Sequence, residues 1–148
     1  LYIKSKVDKL IKKYNTRNPF DLCDYLGINV LSEYLGNEVR GIYQYKNRIK
    51  IIHINELLEK GIRRQVCCHE LGHALLHSTF NCMFLGSSTF FSKSRIEIEA
   101  NMFAAELLIA DEDIKQYFGT GYSLDHIAKD LEVHESLVEY KIKNMSKT

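Results

Sequence analysis

His69-Glu70-Leu71-Gly72-His73, set within the run HELGHALLH (69–77), decides how the rest of the chain is read. Two histidines four apart on a helix share a face, about 40° apart around the axis. Both imidazoles can reach one metal ion, and neutral imidazole suits zinc. Glu70 stands one step round from His69, too far to share the metal easily but placed to touch a water beside it. That is the H-E-x-x-H arrangement, in which the glutamate is the general base of a zinc hydrolase. The motif predicts a helix over 62–77, with Ile62, Val66, Leu71, Ala74 and Leu75 as its apolar packing positions.

A catalytic zinc takes three protein ligands and keeps a fourth position open. Helical spacing resumes over 94–110, where Ile96, Ala100, Phe103, Ala104, Leu107 and Leu108 form one apolar stripe. Within it Glu97 and Asn101 are an i, i+4 pair, so the carboxylate can bind metal while the amide steadies another ligand from behind. Glu99 lies about 200° round the axis from Glu97, and the two cannot face one metal together. Glu99 and Glu106 are therefore read as solvated or hydrogen-bonded structural residues. His77 extends the His69/His73 face by a turn. In the metzincin pattern a glycine and then a third histidine follow the second one, but Leu76 and Thr79 occupy those places. His77 is assigned to supporting a ligand or closing the helix end. His53 could approach the site from a strand, whereas His126 and His134 read as surface residues.

Working outward, Ile3, Val7, Leu10, Ile11 and Tyr14 predict an amphipathic helix over 3–15, its lysines on the opposite face. Asn18-Pro19 marks an N-cap and first helical position, and Gly27 stops the short helix that follows. The period then changes. Residues 28–31, 41–45 and 48–54 read as three strands, with a tight turn at Lys46-Asn47 and Gly61 interrupting before the motif helix. Residues 78–93 lack periodicity and are expected to form a loop or mobile flap. Asp111 caps a short helix to about Phe118, Ser123 caps 124–131, and a last helix runs over 135–144.

The expected class is α+β: a small three-stranded antiparallel sheet packed on a helical core that carries the motif helix, with a C-terminal helical pair. The whole of 1–148 reads as one domain: 1–27 N-terminal helices, 28–54 sheet, 61–110 metal-binding helices and 111–148 C-terminal helices. A formal charge of +1, from 20 basic and 19 acidic residues, gives no argument for nucleic acid or membrane. The chain shows no apolar run long enough to span a bilayer, and Leu1-Tyr2-Ile3-Lys4 leads into a polar segment rather than a signal peptide. Cys23, Cys67, Cys68 and Cys82 have no C-x-x-C spacing and are read as reduced, buried thiols of a cytoplasmic protein.

HELGHALLH followed by E-x-x-A-N-x-F-A-A-x-L-L (Glu97 to Leu108) resembles the ImmA/IrrE-type metallopeptidases. The resemblance extends to Asn18-Pro19-Phe20, the small sheet and the C-terminal segment from Ile127-Ala128 to Val138. It implies a gluzincin-like, zincin-type site with His69, His73 and Glu97 as zinc ligands and Glu70 as base. It also implies a cytosolic protein encoded by a phage or other mobile element and acting on a partner transcriptional repressor, a helix-turn-helix protein. Family members usually follow the Leu-Leu pair with Met-Pro, where Ile109-Ala110 stands here. That departure bears on substrate preference, not on a metal ligand.

The expected activity is zinc-dependent hydrolysis of a specific protein. Tyr43, Tyr45, His53 and His77 are the candidates for stabilising the oxyanion, and an extended peptide could add to an exposed edge of the sheet. Two other readings stand beside it. One is a non-catalytic metal-binding regulator that works through repressor or DNA binding. Ser123–Lys143 has helix-turn-helix proportions, but Asp125, Asp130, Glu132, Glu135 and Glu139 offset its lysines, and a DNA-reading face is normally basic. The other is a structural zinc, against which Glu70 speaks, since a staple needs no base. Oligomeric state is not legible in the sequence.

Overall fold

The computed structural model describes residues 2–146, without the side chains of Ser87 and Ser88, so the outermost ends of the expected 1–148 domain lie outside it. Helix α1 (Tyr2–Tyr14) buries Ile3 and Val7 and leaves most of its lysines to solvent. Asn18 caps α2 (Pro19–Leu26) by accepting from the Phe20 N–H at 2.9 Å, and Gly27 ends that helix with φ 70°. The left-handed turn there is one that glycine enters without a Cβ penalty.

The sheet has four strands, not three, and is mixed. Strands β1 (Asn29–Glu33), β2 (Gly41–Lys46), β3 (Ile49–Asn55) and β4 (Cys82–Phe84) lie in the order β1-β3-β2-β4. β2 pairs antiparallel with both β3 and β4, but β1 runs parallel to β3, with Asn29 opposite Ile51. Apolar content explains the order. Ile52 and Ile54 of β3 are fully buried, so β3 takes an inner position, while the polar NVLSE of β1 is mostly exposed and suits an edge. The β2–β3 turn falls one residue later than expected, at Asn47 and Arg48, both with positive φ as a two-residue hairpin requires. The added strand β4 comes from the stretch expected to be a loop. Cys82 and Phe84 face inward and Met83 outward, a period too short to stand out among the surrounding Ser, Thr and Phe residues.

Helix α3 (Lys60–Leu76) packs between this sheet and α4 (Arg95–Leu108). Gly61 does not interrupt; it lies in the first turn of α3. The two helices approach closely because residue 72 is glycine. A Cβ there would stand 3.1 Å from the Phe103 Cβ and 3.3 Å from the Ala100 Cα. Between β4 and α4 the chain makes a 3-10 turn, Gly86–Thr89.

Helix α5 (Asp111–Lys115) is shorter than expected and takes Ala110, not Asp111, at its N-cap. The Asp111 carboxylate is drawn instead to Lys141 and Lys4. Ser123 caps α6 (Leu124–Leu131), accepting from the His126 N–H at 3.1 Å, and α7 (Glu135–Met145) packs back on α4. Among the described residues no helix is long and apolar enough to cross a membrane.

Candidate metal centre

The one-face argument for α3 is realised in the fold. His69 and His73 are fully buried, and their Nε2 atoms stand 3.1 Å apart. Glu97, from the first turn of α4, reaches both. Its Oε2 lies 2.8 Å from His69 Nε2 and its Oε1 3.1 Å from His73 Nε2. The three donor atoms lie within 4.8 Å of one another.

Proton positions test whether a cation fits. Asn101 Nδ2 donates to the Thr89 carbonyl at 3.1 Å, which fixes the amide and leaves Oδ1 facing His69 Nδ1 at 2.8 Å. Nδ1 of His69 must then carry the hydrogen. In a neutral ring this leaves Nε2 a bare lone pair, aimed at a carboxylate and at a second imidazole nitrogen. Such a cluster of acceptors repels itself unless a cation sits among it. Tetrahedral zinc with N and O donors at about 2.0–2.1 Å spaces its ligand atoms about 3.3–3.4 Å apart, close to the separations here. The donor set fits a divalent metal.

Charge follows the same logic. Burial opposes ionisation of Glu97, but His69 and His73 outweigh it when their rings carry protons toward the carboxylate, and bring its carboxyl down to about 2. With bare Nε2 atoms a metal cation would take over that part. Burial pushes His73 below the ordinary histidine range, which favours a neutral imidazole, the form that can bind a metal. Glu70 is fully buried, and neither carboxylate oxygen has a hydrogen-bond partner. Burial first, and then the Glu97 charge, hold it well above the usual carboxylate range. A cation among the neighbouring donors acts in the opposite direction. Gly41 lets β2 pass close to α3, since a Cβ on residue 41 would fall 2.5 Å from the Val66 Cγ1 and 3.2 Å from the His53 carbonyl oxygen, though it would meet the Glu70 Cγ only at an ordinary contact of 3.6 Å.

The other expected residues scatter. His77 has left the helix as its C-cap, and its Nδ1 stands 3.1 Å from His73 Nδ1. Glu99 reaches His77 Nε2 at 2.9 Å, so it is hydrogen-bonded rather than freely solvated. Glu106 is buried against Lys141 at 2.8 Å, away from the metal donors. His53 does not approach the centre. It lies between Glu33 and Gln44, alternating with Ile52 and Ile54, which point inward. The Tyr43 hydroxyl donates to the Ser78 carbonyl at 2.6 Å, and burial raises its proton affinity to about 12. Tyr45 binds Asn81 through its backbone N–H. Of the four oxyanion candidates, only His77 stands beside the metal donors, and both its ring nitrogens are engaged. His134 is not a plain surface residue: it caps α7 and stacks on Phe90 at 4.3 Å.

Sequence reasoning missed Thr89, whose carbonyl holds Asn101, and Phe84, whose ring meets His69 edge-on at 4.8 Å. Both lie in the stretch without periodicity; the paired aromatics Phe84 and Phe90 were its only signal.

Comparison with known proteins agrees with the site. Residues 23–143 match the IrrE N-terminal-like domain, a peptidase family. The chain is 48% identical over 126 residues to "Uncharacterized immunity region protein 2" of Bacillus phage phi105, covering 85% of this chain and 80% of that one. It is 32% identical over 144 residues to "Metallopeptidase ImmA" of Bacillus subtilis (strain 168), covering 95% and 83%.

Proposed function

The chain belongs to the peptidase family of IrrE N-terminal-like domains, and on that premise we propose that it is a zinc-dependent endopeptidase acting on one specific protein. The substrate we propose is a helix-turn-helix transcriptional repressor of the same phage or mobile element. The carrying observation is the buried His69/His73/Glu97 donor set beside a Glu70 carboxylate with no partner on either oxygen. The repressor half rests on the family resemblance and on a phage relative whose name places it in an immunity region. The four cysteines are all free and buried, which suits a reducing cytoplasm.

Zinc held by His69 Nε2, His73 Nε2 and Glu97 would supply a Lewis acid for the scissile carbonyl and a lowered pKa for water. Two neutral imidazoles and one carboxylate leave that site about +1, enough to favour the ionised Glu70. Glu70 takes a proton from the attacking water onto a carboxylate oxygen and returns it to the leaving amide nitrogen. Its lack of competing hydrogen bonds keeps both oxygens free for that transfer. Asn101 keeps the His69 ring turned so that Nε2 faces inward.

The test is incubation with the repressor encoded beside it, with and without chelator, alongside Glu70→Gln. Cleavage is expected in the untreated wild type alone, and Glu70→Gln is expected to retain bound zinc. Cleavage that survives chelation or the substitution overturns the peptidase. Zinc binding together with repressor or DNA binding, but without cleavage, would favour the non-catalytic regulator.

A further inference from the structure

The two histidine donors are supported unequally. His69 Nδ1 meets the neutral amide of Asn101, whereas His73 Nδ1 meets a second imidazole, His77, whose far nitrogen meets the carboxylate of Glu99 at 2.9 Å. The contact between His73 Nδ1 and His77 Nδ1, at 3.1 Å, needs one hydrogen between them. Either ring can supply it, and the choice decides whether His73 can bind metal at all. With the hydrogen on His77 Nδ1, neutral His73 carries its own hydrogen on Nε2, pointed at Glu97 and unable to ligate. With the hydrogen on His73 Nδ1, its Nε2 is a free donor.

Glu99 settles this. A carboxylate accepts only, so His77 must present Nε2–H to it, and neutral His77 is left with a bare Nδ1 that accepts from His73. While both rings are neutral the chain has one sense, from His73 Nδ1–H to His77 and from His77 Nε2–H to Glu99. His77 is only 8% exposed, which limits water as a substitute partner, while Glu99 at 31% keeps access to solvent and faces Arg95 at 3.7 Å. His77 can make this contact because it stands at the C-cap, off the helical path, where its ring turns toward α4.

We propose that Glu99 and His77 are positioning residues that hold His73 in its metal-binding tautomer. The proposal rests on reading His69, His73 and Glu97 as the ligand set. Removing the carboxylate frees His77 to reverse its hydrogens and place a proton where the metal should bind. Loss of such support behind a ligating histidine lowers metal affinity about 10–100-fold.

Two measurements test it. Long-range nitrogen–proton correlation spectra of the metal-free protein at mildly alkaline pH report which His73 nitrogen carries the hydrogen. Nδ1–H is expected in the wild type and in Glu99→Gln, whose amide oxygen can still accept, with a shift toward Nε2–H in Glu99→Leu. Zinc affinity, from competition with a chromophoric chelator, should fall about 10–100-fold in Glu99→Leu and be largely kept in Glu99→Gln. His77→Gln places an amide oxygen on His73 Nδ1 without need of Glu99, so adding Glu99→Leu to it should cost nothing further. An unchanged His73 tautomer with unchanged affinity in Glu99→Leu overturns the proposal. A wild type that binds no zinc would refute the ligand set instead, while the spectra of the metal-free protein still decide the relay.

Discussion

At the scale of single residues, Asn101 shows how a polar group is fixed by having both ends occupied. It is fully buried, accepting from His69 and donating to the Thr89 carbonyl. Asn101→Leu keeps the volume but orphans a ring N–H and a carbonyl in a dry site. The expected loss is about 2 kcal/mol of stability in the metal-free protein, measured by urea unfolding with chelator present. An unchanged midpoint would mean that water replaces both contacts. Residues of this kind were legible when a helix dictated their direction. His69, Glu70 and His73 follow from one periodicity, and Glu97 with Asn101 from another, because residues four apart share a face. Tyr43 and His53 were not legible. Strand alternation says that neighbouring residues point to opposite faces, but not which face the helix will cover.

Elements carry a different signal, and their interfaces show where it fails. Gly72 reads in sequence as a mild helix weakener, yet it sets the distance between α3 and α4. Gly72→Ala gains helix propensity but pushes a methyl against Phe103 and the Ala100 backbone, so α4 has to shift by a few tenths of an ångström. Since Glu97 rides on α4, zinc affinity is expected to fall even where thermal stability is maintained; equal affinity would show that α4 can slide without moving Glu97. Farther along α4, Glu106 is buried against Lys141, itself 1% exposed. Lys141→Met leaves that carboxylate only the longer contact with Lys4 at 3.7 Å and should cost about 3 kcal/mol, whereas Lys141→Met with Glu106→Leu recovers most of the loss. Asp111 adds a pH signature. The hydrogen bond from Lys141 holds its carboxyl below the usual range, so its contribution is complete at neutral pH. That contribution is lost as pH falls through the depressed folded value. The stability gap between wild type and Asp111→Asn should therefore stay flat above about pH 4 and close below it. A gap that persists to lower pH would mean that the carboxylate charge does not matter. None of this network was visible beforehand, because a lysine and a glutamate far apart in sequence carry no periodic mark of being buried together.

For the molecule as a whole, the α+β class was legible, but the number of strands and their directions were not. Local patterning marks where strands are; which edge each one joins depends on how the connections run and on which strand is apolar enough to lie inside. The outcome bears on function, because it leaves two sheet edges of different character. β1 is polar and lies at the opposite edge from β4, whereas β4 carries Phe84 against His69. An extended substrate that pairs with β4 would pass beside the metal donors; one that pairs with β1 would not. The expected outcome follows from that placement. With zinc-loaded protein and a peptide hydroxamate as a non-cleavable probe, amide hydrogen exchange should slow across 82–85 and remain unchanged across 29–33. The donors are buried, and Phe90 lies against Phe84 on one side and His134 on the other, so the probe has to displace packed side chains to enter. Exchange near residues 89–91 should accordingly quicken on binding. Protection along β1, or tight binding of the hydroxamate with no protection along either edge, would rule out β4 as the strand on which a substrate is laid.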